Sequence, residues 1–338
     1  MSASYPQRQL RRLRYNAALR EMLASVRLDV RELIAPIFVH ETLSAAREVS
    51  TLPGQFQRPV KDAAKFARRL AGKGIRAVLL FGTPAKKDAV GSGAYADDGI
   101  VQQAVRAIKK AAPALLVIAD TCLCEYTDHG HCGPLTVTPG GQRDVDNEQA
   151  LAGLARTAVS QARAGADMIA PSAMMDGQVR TIRAALDAGG FQRTPIMSYA
   201  VKFASCLYGP FREAAGSAPS FGDRRTYQMD ALSPRQILAE ARGDLEEGAD
   251  ILMVKPAAAY LDVISLVARN IDAPLAAYHV SGEYALIRHA ARAGAVDERQ
   301  AMLEVTAAIK RAGADLIITY FAEALAECIE LPRAPAGP

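Results

Sequence analysis

The sequence of 338 residues predicts an α/β fold, a (β/α)8 TIM barrel with an N-terminal arm. Two observations favour this class: eight short and almost uninterrupted apolar runs, and segments of helical periodicity between them. An internal repeat, Gly-Ala-Asp followed by an apolar run, is a further observation that favours it. We expect the arm to span residues 1–30, the catalytic barrel 31–330 and a C-terminal tail 331–338.

The repeat marks the joint between a helix and the next strand. It occurs at Gly165, Gly248 and Gly313, with a looser copy at Gly74. Each Gly follows a helical segment, where a left-handed C-cap favours glycine, and each following run is typical of a buried parallel strand. The predicted strands are, in order, Ile34 to Val39, Ile75 to Phe81, Leu115 to Asp120, Asp167 to Ala170, Pro195 to Ala200, Ile251 to Val254, Leu275 to Val280 and Leu316 to Phe321.

Helical periodicity fills the intervals between these strands. The clearest segments are Lys61 to Ala71, Val101 to Ala111, Gln149 to Arg163, Pro234 to Glu247 and Val296 to Ala312. A doubly wound open sheet is the alternative. No Gly-x-Gly-x-x-Gly turn follows any strand, which favours the closed barrel.

Composition excludes several classes of protein. Half the residues are hydrophobic and 22% are charged, so the chain can bury a core and is not disordered. The formal net charge of +4 gives no global basic field, so we expect neither nucleic acid nor a membrane as a partner. With no secretory signal and few cysteines, a cytoplasmic location is expected. The arginine-rich start resembles an organelle transit peptide or an arm docked on a neighbouring subunit.

Three of the five cysteines lie close together in the sequence. Cys122, Cys124 and Cys132 are spaced so that a turn can bring three thiolates to one ion, and such soft ligands select zinc. The alternative is a disulfide and a spare thiol, a device of small secreted domains. We expect the other two cysteines, Cys206 and Cys328, to be buried core thiols.

Polar residues share one register at the ends of the strands. Counting seven residues from the repeat glycine leads to Ser172, Lys255 and Tyr320 in the three full copies. Other runs lead to Asp120, Lys202 and Ser281. Because barrel active sites lie at the C-terminal ends of the strands, these side chains should face one mouth.

The two lysines of this set, Lys202 and Lys255, are single cations in apolar sequence. Desolvation and repulsion between like charges should lower an ammonium pKa there, and a neutral amine attacks a ketone to form a Schiff base. The alternative for each lysine is an ion pair at a strand end. Between them, the irregular stretch from Gly209 to Gln228 predicts an active-site lid. Arg212 and Arg224 on it could clamp a carboxylate, whereas Arg225 is expected to be solvated.

Several motifs together resemble one family, porphobilinogen synthase or 5-aminolevulinate dehydratase, of the zinc-dependent type. The resemblance extends from about Arg11 to Glu327. It rests on the following motifs: Asp120-Thr-Cys-Leu-Cys-Glu-Tyr-Thr127, His129-Gly-His-Cys-Gly133, Lys202-Phe-Ala-Ser-Cys-Leu-Tyr-Gly-Pro-Phe211, Phe221-Gly-Asp-Arg-Arg225, Met253-Val-Lys-Pro256 and Tyr278-His-Val-Ser-Gly-Glu283.

The resemblance implies a lyase of heme biosynthesis that condenses two 5-aminolevulinate molecules to porphobilinogen with loss of two waters. It makes Lys202 and Lys255 the Schiff-base lysines and places a catalytic zinc on Cys122, Cys124 and Cys132. One substrate carboxylate would bind Arg212, Arg224 and Gln228, and the other would bind Ser281 and Tyr320. Glu240 matches an allosteric magnesium position, and the assembly would be a homo-octamer joined through the arms.

Two departures from the family pattern concern the metal. Thr226 stands where some members have a cysteine of a second zinc site, so we expect one zinc per chain. Asp128 stands where serine is common, in the loop from Cys122 to Cys132 that is called the metal loop here, and its role is unassigned. We expect His129 and His131 to support the site rather than bind the ion. The alternatives are a class I aldolase with a structural zinc, which needs one essential lysine, and a zinc-stabilised module whose basic arm binds nucleic acid.

Overall fold

A computed structural model of the protein describes residues 6–329. All eight predicted strands are present, with bounds that differ from the predicted ones by at most two residues. The barrel strands, labelled here in chain order, are β1 (Leu33–His40), β2 (Ala77–Thr83), β3 (Leu116–Thr121), β4 (Met168–Pro171), β5 (Met197–Lys202), β6 (Ile251–Lys255), β7 (Leu275–His279) and β8 (Leu316–Thr319).

These strands form one parallel barrel. Hydrogen-bonded neighbours follow the order β4-β3-β2-β1-β8-β7-β6-β5. A parallel bridge between Ile169 of β4 and Ile196, just before β5, joins the two ends of this order. The (β/α)8 prediction is therefore confirmed, and the open-sheet alternative is wrong. Closure brings the C-terminal ends of all eight strands to the same end of the barrel, which is called the mouth here.

Helices surround the barrel, and most of them follow a strand as the sequence predicts. They are α1 (Ala17–Leu23), α2 (Val60–Gly72), α3 (Ile100–Ala111), α4 (Asn147–Arg163), α5 (Gln178–Ala188), α6 (Gly209–Ala214), α7 (Ile237–Glu246), α8 (Leu261–Asn270), α9 (Ser281–Arg292), α10 (Glu298–Ala312) and α11 (Ala322–Cys328). Short 3-10 turns lie at Leu10–Leu13, Val30–Glu32, Ser92–Tyr95, Cys206–Tyr208, Pro234–Gln236 and Ala258–Tyr260. Two small antiparallel pairs, Arg47–Glu48 with Phe56–Arg58 and Leu135–Val137 with Arg143–Val145, lie outside the barrel path.

The repeat performs the role predicted for its glycine. Gly165, Gly248 and Gly313 have φ angles of +102°, +107° and +122°, which a side chain would strain. Each reverses the chain between a helix and the next barrel strand. The left-handed joint between helix and strand is confirmed.

The aspartate of the repeat connects each of these strands to its neighbour, a role that its position in the sequence does not reveal. In each copy its carboxylate accepts a hydrogen bond from a backbone amide at or next to the start of the adjacent barrel strand, which sets the stagger between strands. The pairs, each 2.8 Å apart, are Asp167 with Val117, Asp250 with Ile196 and Asp315 with Leu275.

The N-terminal arm precedes β1 and carries exposed apolar side chains on this chain. Tyr15 is 80% exposed and Met22 is 71% exposed. The prediction that the arm docks on another subunit therefore stays a prediction. Among residues 6–329, no helix has the length and apolar character needed to cross a bilayer. The tail at 331–338 lies outside the described residues.

The predicted lid is more regular at its start than the sequence suggested. Residues Gly209–Ala214 form α6, with Pro210 in its first turn. The helix is short and is fixed by tertiary contacts, since the amide of Phe211 donates to Ser281 Oγ at 3.0 Å. Periodicity cannot reveal six residues of helix, so this part of the lid prediction was wrong. The rest of the stretch has no strand or α-helix.

Candidate active site

Two lysines lie side by side at the mouth. Lys202 is the last residue of β5 and Lys255 the last of β6, and the two are paired directly across the strands. Their exposed fractions are only 5% and 4%. Neighbouring residues of a parallel pair project to the same face, so both ammonium groups enter the barrel mouth.

Lys255 is surrounded by aromatic rings. Its Nζ lies 4.2 Å from the ring centre of Tyr278, 4.9 Å from that of Tyr199, 5.0 Å from Phe211 and 5.2 Å from Tyr208. Burial, together with repulsion from Lys202, lowers the pKa of Lys255 to about 7. The predicted fall in pKa is confirmed for this lysine, and the ion-pair alternative does not hold for it.

Lys202 is held by a short hydrogen-bonded chain that ends at β3. Its Nζ donates to the carbonyl of Ser172, and the Oγ of Ser172 donates to Oδ2 of Asp120 at 3.0 Å. Burial first, and then the charge of Glu125, raises the pKa of Asp120 to about 8. The other oxygen, Oδ1, is buried without a protein partner.

The three clustered cysteines converge as predicted. The Sγ atoms of Cys122, Cys124 and Cys132 all lie within 4.8 Å of one another, and all three residues are buried. Their thiols are free, and the 3.4 Å between Cys122 and Cys124 is too long for a disulfide. Hydrogen bonds from the other two thiols lower the pKa of Cys132. Three soft donors around one point fit a zinc ion with a fourth position free.

The metal loop is packed against the lid. Arg224 donates to the carbonyls of Gly130 and Ser217 at 2.8 and 2.5 Å. His131 lies 3.0 Å from the hydroxyl of Tyr227 and 3.1 Å from the carbonyl of Phe221. The ring of His131 is thus used to connect loop and lid. This agrees with its expected supporting role.

A cationic cleft of about 220 Å³ lies between the lid and the end of β5. Arg212, Arg224 and Gln228 line it, and buried polar atoms of all three are without protein partners: both Nε atoms and both polar atoms of the Gln228 amide. Burial and the neighbouring Arg224 lower the pKa of Arg212. Unpaired donors in a buried cleft are suited to a carboxylate. Arg225, by contrast, is exposed and pairs with Asp223, as expected.

The other two predicted substrate residues come just after β7 and β8. Ser281 is the first residue of α9, and its Oγ donates to the Leu207 carbonyl at 3.2 Å. The hydroxyl of Tyr320 lies 3.2 Å from that of Tyr278, whose ring contacts Lys255. The structure therefore brings Tyr320 close to Lys255.

Glu240 lies on the helix side of β5, in a region that extends to the lid residue Gln228. It is half-buried on α7 and lines a cavity of about 270 Å³, together with Asp176, Asp244 and Glu247. Burial and the charges of Asp176 and Glu247 raise the pKa of Glu240. Within residues 6–329, the cysteine cluster alone brings three ligand atoms within 4.8 Å. Magnesium at Glu240 stays a prediction.

Comparison with known proteins decides the family. The family model described as delta-aminolevulinic acid dehydratase matches residues 7–328. The chain belongs to the delta-aminolevulinic acid dehydratase family. A dehydratase of this name from Halalkalibacterium halodurans is 53% identical over 316 residues, covering 94% of this chain and 95% of the relative. One from Staphylococcus aureus is 50% identical over 313 residues, covering 93% and 96%.

A solved structure of the dehydratase family has the same fold. The delta-aminolevulinic acid dehydratase of Toxoplasma gondii, crystallised with its product porphobilinogen, superposes with a TM-score of 0.91 at 39% identity. The match covers 95% of this chain and 91% of that chain. The family and the enzyme class, a lyase, are confirmed, and the zinc-dependent type stays a prediction. The aldolase and the nucleic-acid-binding module are excluded as families for this chain.

Sequence reasoning missed several residues of the dehydratase site. Tyr199 and Tyr278 wall the lysine pocket, yet as aromatic residues within apolar strands they look like ordinary core. Lys87 follows β2 and donates to the Gly216 carbonyl of the lid. Its position just after a barrel strand was the available signal. The expectation of buried core thiols was wrong for Cys206, which is exposed in a turn after β5, and for Cys328, which is half-buried.

Proposed function

We propose that this chain condenses two molecules of 5-aminolevulinate into porphobilinogen with loss of two waters. The observation that carries the proposal is the pair of buried lysines, Lys202 and Lys255, in one mouth with a three-thiol cluster and a cationic cleft. Joining two identical keto acids requires two carbonyl-activating groups and two carboxylate sites. The two lysines, the cationic cleft and the hydroxyl groups of Ser281 and Tyr320 support an assignment of both pairs to this mouth.

Each lysine would activate one ketone. The neutral amine of Lys255 adds to the carbonyl carbon, and loss of one water leaves an imine between lysine and substrate. Lys202 does the same to the second substrate, which accounts for both waters. An imine makes its carbon more electrophilic and the neighbouring C–H more acidic, so the two substrates become mutually reactive. The carbon next to one imine loses a proton and adds to the imine carbon of the other substrate, which forms the C–C bond, and the lysine on that carbon is then eliminated as its amine with loss of a neighbouring C–H proton. The amino group of this second substrate adds to the imine carbon of the first and displaces its lysine, which forms the ring C–N bond and regenerates both lysines.

Two polar sets would hold the substrate carboxylates. Arg212, Arg224 and Gln228 offer charged and amide donors beside the lid, where buried donors have no protein partner. Ser281 and Tyr320 offer hydroxyl groups near Lys255. Unequal sites suit this reaction, because the two identical substrates must take different roles.

The thiols of Cys122, Cys124 and Cys132 would hold one zinc per chain. When bound, the ion supplies a Lewis acid that lowers the pKa of a water or amine at its open position. The chain's own contribution is a cluster whose loop is hydrogen-bonded to the lid, so metal loop and substrate cleft are positioned together. Because thiolates are soft ligands, such a cluster would also bind zinc in preference to harder ions such as magnesium.

The wider setting follows from the family and the arm. The reaction would serve heme biosynthesis in the cytoplasm, and the exposed apolar arm would join subunits into a homo-octamer.

Magnesium would bind at Glu240, outside the barrel mouth, and act allosterically. Glu240→Ala should then abolish stimulation by magnesium without affecting zinc binding. A wild type whose activity is not stimulated by magnesium would contradict the proposed allosteric site at Glu240.

A direct test combines product and covalent trapping. The protein incubated with 5-aminolevulinate and zinc should form a pyrrole, and borohydride with substrate should attach mass to Lys255 and Lys202. Lys255→Ala should lose turnover, whereas Lys61→Ala, at an exposed lysine of α2, should keep it. Full activity in Lys255→Ala would refute the mechanism.

A further inference from the structure

Strand β5 contains one residue more than β6 in the stretch that they share. Ile251 pairs with Met197 and Leu252 with Ser198, but Val254 pairs with Val201. Tyr199 and Ala200 therefore stand opposite the single residue Met253. This arrangement is a β-bulge, which is rare between parallel strands and is usually found beside functional sites.

The bulge determines which face of the barrel Lys202 occupies. Tyr199 points into the mouth, where its ring lies 4.9 Å from Lys255 Nζ, and Ala200 lines the cavity on the helix side. Strict alternation from these residues would turn Lys202 towards the helices. Its Nζ instead lies 5.4 Å from the Tyr199 ring, inside the mouth. In the register before the bulge, the partner of Lys255 would be Val201.

Hydrogen bonds fix the bulge on both sides. After it, the amide of Phe203 donates to the Lys255 carbonyl at 2.9 Å, and the amide of Met229 donates to the Lys202 carbonyl at 3.0 Å. Before it, Ser198 is completely buried, and its Oγ donates to a carboxylate oxygen of Asp244 on α7. Ser198 is the last residue before the register changes. Asp244 thus holds the point from which the bulge starts.

We propose that Asp244 is a positioning residue that keeps Lys202 beside Lys255 by anchoring Ser198 at the start of the bulge. The proposal rests on the proposed function, since it assumes that both lysines react with substrate. Without the carboxylate, a buried hydroxyl loses its partner and β5 is free to relax towards the regular register. Lys202 would then leave its productive geometry, whereas Lys255, on β6, would keep its own.

The test measures substrate trapping at each lysine separately. Zinc-supplemented full-length protein is treated with 5-aminolevulinate and borohydride, and modified peptides are quantified by mass spectrometry. In Asp244→Ala we expect trapping at Lys202 to fall by about 10- to 100-fold, as for other displaced catalytic groups, with trapping at Lys255 retained. The kcat should fall in parallel, with KM changed by less than about twofold, because the carboxylate sites are untouched.

Three further variants separate positioning from general damage. Asp244→Asn keeps an acceptor for Ser198 and should restore trapping at Lys202. Ser198→Ala removes the donor with little change in volume and should reproduce the selective loss. Glu246→Ala, at an exposed acid of the same helix, should behave as wild type. The proposal would be overturned if Asp244→Ala and Ser198→Ala trapped as much substrate at Lys202 as the wild type does. It would also be overturned if trapping in Asp244→Ala and Ser198→Ala fell equally at Lys202 and Lys255. A wild type that traps substrate at neither lysine would instead refute the proposed function.

Discussion

Ser172 connects Asp120 to Lys202. The Oγ of Ser172 donates to Oδ2 of Asp120, while its backbone carbonyl accepts from Lys202 Nζ. The ends of β3, β4 and β5 are thereby joined, and the residue that precedes the metal loop is linked to a lysine of the proposed reaction. The two bonds use different atoms of Ser172, so substitution can separate them.

Ser172→Ala should lower kcat by roughly 10-fold, as for other groups that orient catalytic side chains. The variant removes the bond to Asp120 but keeps the carbonyl that holds Lys202. Ser160→Ala is the matched control, since Ser160 is equally buried but lies between helices, where it contacts Gln102. Steady-state kinetics of both variants give the answer. Equal kcat values for the two would show that the link to Asp120 has no role in turnover.

Most of the site could be predicted because its residues lie at the ends of recurring strands. The repeat gives the register that places Ser172, Lys255 and Tyr320 at one mouth, and closure of the barrel completes the arrangement. Lys202 was correctly expected at the mouth from its place after the fifth apolar run, but the bulge that turns it there could not be predicted, because it depends on pairing of β5 with β6 and on Asp244 from a helix distant in sequence. Alternation along β5 alone gives the wrong face.

Trapping at Lys255 should rise with pH through about 7. Its pKa is lowered to about 7, so the ammonium form dominates below that pH and the nucleophilic amine above it. Lys202→Met removes the neighbouring positive charge, which should raise the pKa of Lys255 and move the profile to higher pH. The measurement is the borohydride-trapped fraction at Lys255 across pH 5–9. A midpoint that is unchanged in Lys202→Met would contradict the repulsion between the lysines.

Zinc content should follow the cysteine cluster. Cys122→Ala leaves two thiols, too few to hold the ion with an open fourth position, so bound zinc should fall from one per chain to well below one. Cys328→Ala, at a half-buried thiol outside the cluster, should keep full zinc and turnover. Metal analysis after dialysis gives the stoichiometry. Zinc retained by Cys122→Ala, or turnover that survives strong chelation, would contradict a catalytic zinc.

Weakening the cationic cleft should raise KM for substrate. Gln228→Ala removes an amide whose two polar atoms have no protein partner, and Arg212→Ala removes a guanidinium beside it. Each lost hydrogen bond to a carboxylate should cost about 1.5–3 kcal/mol of binding, roughly a 10- to 100-fold rise in KM. Arg235→Ala, at an exposed arginine that does not line the cleft, is the control. An unchanged KM in both cleft variants would place the carboxylate elsewhere.

Gly130 lies where the metal loop packs closely against the lid. A Cβ added there would lie 2.3 Å from the carbonyl oxygen of Ala218, and φ is +73°. Gly141 has a similar φ of +78° but open space around it. Backbone strain should therefore cost both alanine variants about 1 kcal/mol, and overlap with the lid should cost Gly130→Ala about 1–3 kcal/mol more.

The two glycine variants thus separate strain from contact between loop and lid. Urea unfolding measures the stability of each, and zinc content together with KM measures the site. We expect Gly141→Ala to bind zinc and substrate as wild type, and Gly130→Ala to lose affinity for both, because the displaced lid carries Arg224 and the displaced loop carries Cys132. Equal destabilisation of Gly130→Ala and Gly141→Ala would show that the metal loop and the lid are not packed as described. The proposed coupling between the metal loop and the cationic cleft would then also be contradicted.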